Sequence, residues 1–205
     1  MVLVSKEITK KPKQDVGYLT LVLPNGGFSD DQFFEFCQMN DNLRIERTSH
    51  GEIIIMSLTG AKTGQRNAEL GADFVIWNRQ KKGGVVFDSS TGFKLPNGAT
   101  YSPDVAWVKN ERWEALSDKQ KEKYAPLCPD FLVELLSNSQ DVASLKVKME
   151  EYMENGCSLG WLIDPYSRTT YIFRPKMATE EVPFSQELFG GQVLESFKIN
   201  LSTIF

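Results

Sequence analysis

Apolar positions recur along this chain in two rhythms, and each switch of rhythm marks an element. Ser29, followed by Gln32 and by Phe33, Phe34, Phe36 and Cys37, predicts a capped helix to about Met39. Residues 43–48 and 52–58 alternate on either side of Ser49-His50-Gly51 and predict a hairpin. Leu70, Phe74, Val75 and Trp77 return at helical spacing and predict a long helix over about 65–80, closed by Lys81-Lys82-Gly83-Gly84. Strand patterns follow at 85–88, 92–95 and 100–108, the last entered through the Pro96-Asn97-Gly98 turn. Residues 109–129 are charged and loop-like, with one helical turn around 118–124. Residues 131–136 form the next strand, and Val142, Leu145, Met149, Tyr152 and Met153 make one stripe of a helix that ends at Asn155-Gly156. A hairpin over 160–164 and 169–173 and a further strand over 192–197 complete the pattern. Residues 1–27 read as an irregular arm ending in Pro24-Asn25-Gly26-Gly27, and residues 28–205 as a single domain. The order predicts a mixed α/β sheet flanked by helices with additional hairpins, and excludes a helix bundle or a repeat array.

Two acids break the apolar strands. Asp104 follows Pro103 and shares a strand face with Ala106 and Val108; Glu134 sits inside Phe131-Leu132-Val133-Glu134-Leu135-Leu136 and faces with Leu132 and Leu136. An ionised carboxylate among such residues requires a partner. Two carboxylates followed by a lysine are what metal-dependent phosphodiester hydrolysis needs. Mg²⁺ is held by one or two carboxylates plus substrate oxygens, and a nearby ammonium can position the water or stabilise the phosphorus. Lys146 and Lys148 lie on opposite margins of the last helix's apolar stripe, and position does not choose between them.

Composition narrows the class. The longest apolar runs, such as Ile53-Ile54-Ile55-Met56, are far short of a membrane span, and Lys6 and Glu7 interrupt any secretory leader, so a cytoplasmic protein without a membrane partner is expected. Cys37, Cys128 and Cys157 are odd in number and scattered, which indicates neither a disulfide framework nor a zinc ribbon. A single histidine, His50 in a turn, excludes sites that need two. Net charge of −4 argues against a protein that coats DNA electrostatically, although a basic cleft is compatible with it. The lysine groups at 10–13, 81–82 and 119–123 read as solvated surface.

Gly51-Glu52, Val86-Phe87-Asp88-Ser89-Ser90-Thr91-Gly92-Phe93, Ser102-Pro103-Asp104, Val133-Glu134-Leu135, Lys148 with Tyr152 four residues on, and Leu159-Gly160-Trp161-Leu162-Ile163-Asp164-Pro165 together resemble the Uma2 (DUF820) family, of cyanobacterial type, over roughly residues 28 to 175. The resemblance implies a restriction-endonuclease-like PD-(D/E)XK fold and an endonuclease acting on DNA with Mg²⁺ or Mn²⁺, often as a homodimer. It implies that Asp104 and Glu134 are metal ligands, that Glu52 completes the metal site, and that the catalytic lysine is Lys148. Leu136 stands where the superfamily motif has lysine, so in this family the lysine has moved to the following helix. Two other functions fit the same fold: a catalytically inactive module that binds nucleic acid or a protein partner, and an enzyme acting on another phosphate ester.

Overall fold

The computed structural model describes residues 18–24, 27–138 and 140–205. Lys10, Lys11 and Lys13, and Asn25 and Gly26 of the predicted turn, lie outside them. Strand β1 (Tyr18–Leu21) occupies part of what was expected to be an irregular arm. It is ordered by pairing with the later hairpin, a long-range contact that local pattern does not reveal. Helix α1 (Asp30–Met39) starts with the expected capping box: Ser29 Oγ accepts from Gln32 N, Gln32 Oε1 accepts from Ser29 N, and Asp30 and Asp31 complement the helix dipole. Strands β2 (Arg44–Arg47) and β3 (Ile53–Met56) form the predicted hairpin, with Arg44 opposite Met56 and Arg47 opposite Ile53.

Helix α2 (Ala61–Lys81) begins four residues before the predicted start and carries Gly64 in its first turn, where the Gly64 N–H donates to Gly60 O at 3.0 Å. It ends on Lys82 in the left-handed conformation, and β4 (Gly84–Asp88) follows. The predicted strand over 100–108 is two strands. β5 (Phe93–Lys94) pairs with β6 (Thr100–Tyr101) beside β2, whereas β7 (Val105–Lys109) runs in another sheet between β4 and β8. Pro103, lacking an N–H and restricting Ser102, cannot continue a ladder, so the chain changes sheets at Ser102-Pro103-Asp104. The charged stretch after β7 contains two short helices, α3 (Asn110–Glu114) and α4 (Asp118–Lys121), of which only the second was foreseen.

Strand β8 (Phe131–Leu135) leads through helix α5 (Val142–Glu154) to β9 (Leu159–Asp164), which pairs parallel with it; β10 (Thr169–Phe173) and β11 (Glu180–Pro183) extend that sheet as antiparallel strands. The predicted strand over 192–197 is absent. Leu194 N donates to Gly190 O and Phe197 N to Leu194 O, turns that point Leu194 and Phe197 into the core. The last pairing is instead β12 (Leu188–Phe189) with β13 (Lys198–Ile199).

The result is a five-stranded antiparallel sheet, order β1-β3-β2-β6-β5, and a six-stranded mixed sheet, order β11-β10-β9-β8-β7-β4. One face of the larger sheet, with Val105, Phe131, Val133 and Trp161, packs on Leu70 and Phe74 of α2. The other, with Ala106, Leu132 and Leu162, packs on Leu145, Met149 and Tyr152 of α5. Gly160 of β9 faces Met149 and Met153 of α5, whose terminal methyls fill the space beside it. This packing carries Lys148 to the strand that bears Glu134.

Candidate active site

Three carboxylates and two cations meet where the two sheets join. Asp104 follows the chain's change of sheet, and its backbone N–H donates to Val133 O at 3.0 Å. Its Oδ2 accepts from Leu135 N at 2.8 Å, and its Oδ1 accepts from Asn67 Nδ2 at 3.0 Å. Strand β8 and helix α2 therefore hold this carboxylate from two sides.

Glu134, on the α5 face of β8, accepts at Oε1 from the Tyr152 hydroxyl at 3.0 Å. The Lys148 ammonium is 3.0 Å from the same oxygen. Lys148 also donates to both oxygens of Glu46, at 3.1 and 2.9 Å, and Glu46 Oε1 accepts from Ser102 N at 2.8 Å. Residues 44 and 46 share one face of β2, so Arg44 comes to the same place. Its Nη2 donates to Ser102 O at 2.5 Å, and its Nη1 is 3.6 Å from Asp104 Oδ1.

Burial sets the electrostatics. Glu134 is 3% exposed, and burial above all pushes its carboxyl from 4.5 up to about 7; Lys148 and Arg44 oppose this, while Asp104 and Glu46 reinforce it. Burial pulls on Lys148 in the opposite sense, but Glu134 and Glu46 outweigh it and hold the ammonium above its ordinary value. Tyr152 is pushed well above the phenol range by burial and by Glu134, so its hydroxyl remains a donor.

The structure brings together Asp104, Glu134 and Lys148. Asp104, Glu134 and Lys148 line one cavity of about 180 Å³, together with Thr59 and Thr63 at the start of α2. Lys146 is elsewhere: its Nζ lies 3.7 Å from the Tyr171 ring centroid and 3.6 Å from Glu181. Glu52 is not brought to this cluster. It precedes β3 at the hairpin's turn, where its Oε2 accepts from Thr48 Oγ1 at 3.4 Å and its backbone N–H donates to the same hydroxyl. The acid that reaches the lysine from this hairpin is Glu46, opposite Ile54 and one alternation further from the turn. Sequence reasoning missed Glu46, Arg44 and Asn67. A signal was present for two of them: β2 alternates, and its Arg44 and Glu46 share a face with Ile54 and Met56, an apolar surface that charges occupy only with partners.

The residues fit a hard divalent cation. The donors are oxygens, and three carboxylates face two cations at a place where burial, reinforced by Asp104 and Glu46, raises Glu134. Among the described residues no three His, Cys, Asp or Glu side chains form a ligand set. A cation held here would have one or two carboxylates as its protein ligands, the remaining positions being left to water and substrate oxygens.

Over residues 30–202 the chain matches the model of the Uma2 family, described as "Putative restriction endonuclease". It is also similar to a solved structure, a "putative nuclease belonging to DUF820 from Anabaena variabilis ATCC 29413", with a TM-score of 0.73 at 17% identity, covering 87% of this chain and 97% of that one. At this identity the likeness establishes the fold, which is the mixed α/β architecture expected from sequence. No curated protein sequence matches the chain. No helix among the described residues is long and apolar enough to cross a membrane.

Proposed function

Because the chain belongs to the Uma2 family, we propose that it is a Mg²⁺- or Mn²⁺-dependent nuclease that hydrolyses DNA phosphodiester bonds in the cavity lined by Asp104, Glu134 and Lys148. The observation that carries this reading is the Lys148 ammonium bonded to Glu134 in the cavity that Asp104 also lines. Asp104 and Glu134 would hold the cation, which supplies charge neutralisation on the phosphate and lowers the pKa of water.

The protein's own groups do the remaining work. Lys148, its ammonium favoured by Glu134 and Glu46, would present a fixed positive charge towards the phosphoryl oxygens. Glu46 holds that ammonium in place through two contacts. Tyr152 fixes the orientation of Glu134, while Asn67 and the Leu135 N–H fix that of Asp104, which limits reorganisation when charge develops.

Plasmid cleavage with Mg²⁺ or Mn²⁺ tests the proposal, comparing wild type with Asp104→Asn and Lys148→Met. Each variant is expected to lose about 10²-fold or more of the rate, as is usual when a transition-state contact is removed. A wild type that cuts neither duplex nor single-stranded DNA would overturn the nuclease reading and favour a binding module on this fold.

A further inference from the structure

Two cations serve this site, and they are differently committed. Lys148 gives its ammonium to Glu46 and Glu134. A guanidinium carries five N–H donors, and Arg44 has one firm acceptor, the Ser102 carbonyl. Its approach to Asp104 at 3.6 Å is too long for a hydrogen bond, and its Nε is buried without a partner among the described residues.

Arg44 also occupies a junction. It lines the cavity of Asp104 and Glu134 and, on its other side, a wider groove of about 740 Å³. The groove's other walls include Gln38, Asn42, Ser89, Ser90 and Tyr101, and Arg44 is the one cation among the described residues that line it. Asp41 is the one acid among those residues, so an anionic strand lying there meets hydroxyls, amides and apolar side chains, and finds its positive charge, with donors to spare, only at the Arg44 end. That charge sits beside the carboxylate at which cleavage is proposed.

We infer that Arg44 is the phosphate anchor of this nuclease, binding a backbone phosphate of the substrate strand next to the scissile one; the inference rests on the nuclease reading above. The planar guanidinium suits a phosphate bidentately. Arg44 also stands as counter-charge to Asp104 when no cation is held there. Were Asp104 to hold a divalent cation, the guanidinium would no longer be needed as its counter-charge and would be free for the phosphate, so Arg44 would compete with the metal and favour the substrate.

This opposition separates a phosphate anchor from a merely structural residue. The probes are Mn²⁺, measured by calorimetry, and a fluorescein-labelled 12-nucleotide single-stranded DNA, measured by anisotropy in Ca²⁺ with the oligonucleotide checked for integrity. Arg44→Gln is expected to weaken oligonucleotide binding about tenfold or more. It is also expected to reduce the slope of log affinity against log salt by roughly 0.7, and to tighten Mn²⁺ binding severalfold. Arg44→Lys should fall between, and Lys146→Gln should behave as wild type. Thermal melting of each variant establishes that it is folded.

Unchanged oligonucleotide affinity in Arg44→Gln and Arg44→Lys overturns the inference and leaves the nuclease reading intact. Parallel loss of both affinities also overturns it, since it marks a structural role. A wild type that neither binds nor cuts DNA overturns the inference and the nuclease reading together.

Discussion

Lys148 and Glu46, 102 positions apart in the chain, are joined by two contacts from one ammonium to both carboxylate oxygens, at 3.1 and 2.9 Å. The pair ties the helix of the larger sheet to the hairpin of the smaller one. It is also nearly dry, with 16% of the lysine side chain and 4% of the glutamate exposed.

Lys148→Met should therefore cost stability as well as activity. Removing one partner of a buried ion pair costs about 3–5 kcal/mol, because the remaining charge is left uncompensated, and here two carboxylates lose their cation. Combining Lys148→Met with Glu46→Gln and Glu134→Gln should recover a large part of that loss while cleavage stays absent. Urea unfolding of the single and triple variants, read beside plasmid cleavage, checks both halves. A single variant as stable as wild type would contradict the pairing.

Glu46 and Glu52 provide a paired comparison. Glu46→Gln removes a carboxylate that holds Lys148 and accepts from Ser102 N, and cleavage should fall by at least about tenfold as Lys148 loses its orientation. Glu52→Gln touches only the Thr48 contact at the turn, and its stability should stay within about 0.5 kcal/mol of wild type with cleavage unchanged. Equal loss in the two variants would mean that the hairpin moves on substrate binding.

Metal should stabilise the fold through Asp104 and Glu134. At a Mn²⁺ concentration one hundred times its Kd, binding to the native state alone adds about 2.7 kcal/mol. Asp104→Asn should abolish this Mn²⁺-dependent rise in Tm, and EDTA should remove both the rise and the cleavage of wild type. A rise that persists in the variant would place the ion elsewhere.

Asp30 supplies a pH dependence away from the site. Partial burial raises its carboxyl, but hydrogen bonds from Lys94 and Arg47 outweigh this and hold it below its ordinary 3.8. A carboxylate with a lowered native pKa contributes stability above its unfolded value and loses it as pH falls through the native one. Half of the Asp30 side chain is exposed, so the contribution is modest, about 1 kcal/mol or less. Asp30→Asn should be less stable than wild type at neutral pH, with the difference closing below the carboxylate range, as followed by chemical denaturation at several pH values.

The three thiols should be silent in the native state. Cys37, Cys128 and Cys157 are free and buried, and burial raises the thiols of Cys37 and Cys157. A thiol reagent at neutral pH should label them only as the protein unfolds, which the release of chromophore against denaturant would show.

Local pattern exposed much of the architecture. The capping box of α1, the hairpin of β2 and β3, and the β8-α5-β9 unit are all written in short-range signals. Glu134 stood out because a charge inside Phe131-Leu132-Val133 has no local explanation. The strand over 100–108 was read as one piece because alternation survives across Pro103, and only sheet pairing shows that Tyr101 and Val105 belong to different layers. Glu46 is legible only once the hairpin register sets it beside Ile54 and Met56. In Arg44-Ile45-Glu46-Arg47 it looks like the solvent side of an ordinary strand, and the lysine that makes it a buried acid is supplied from α5, far along the chain.

The chain's change of sheet at Ser102-Pro103-Asp104 makes the proposed site a composite. The larger sheet and its helices alone would own Asp104, Glu134 and Lys148, and the smaller sheet brings Glu46 and Arg44. A chain caught with one layer folded and the other loose, during synthesis or after partial denaturation, would then carry the acids without the groups that hold the lysine and balance the charge. On the proposed reading, cleavage would need both layers in place.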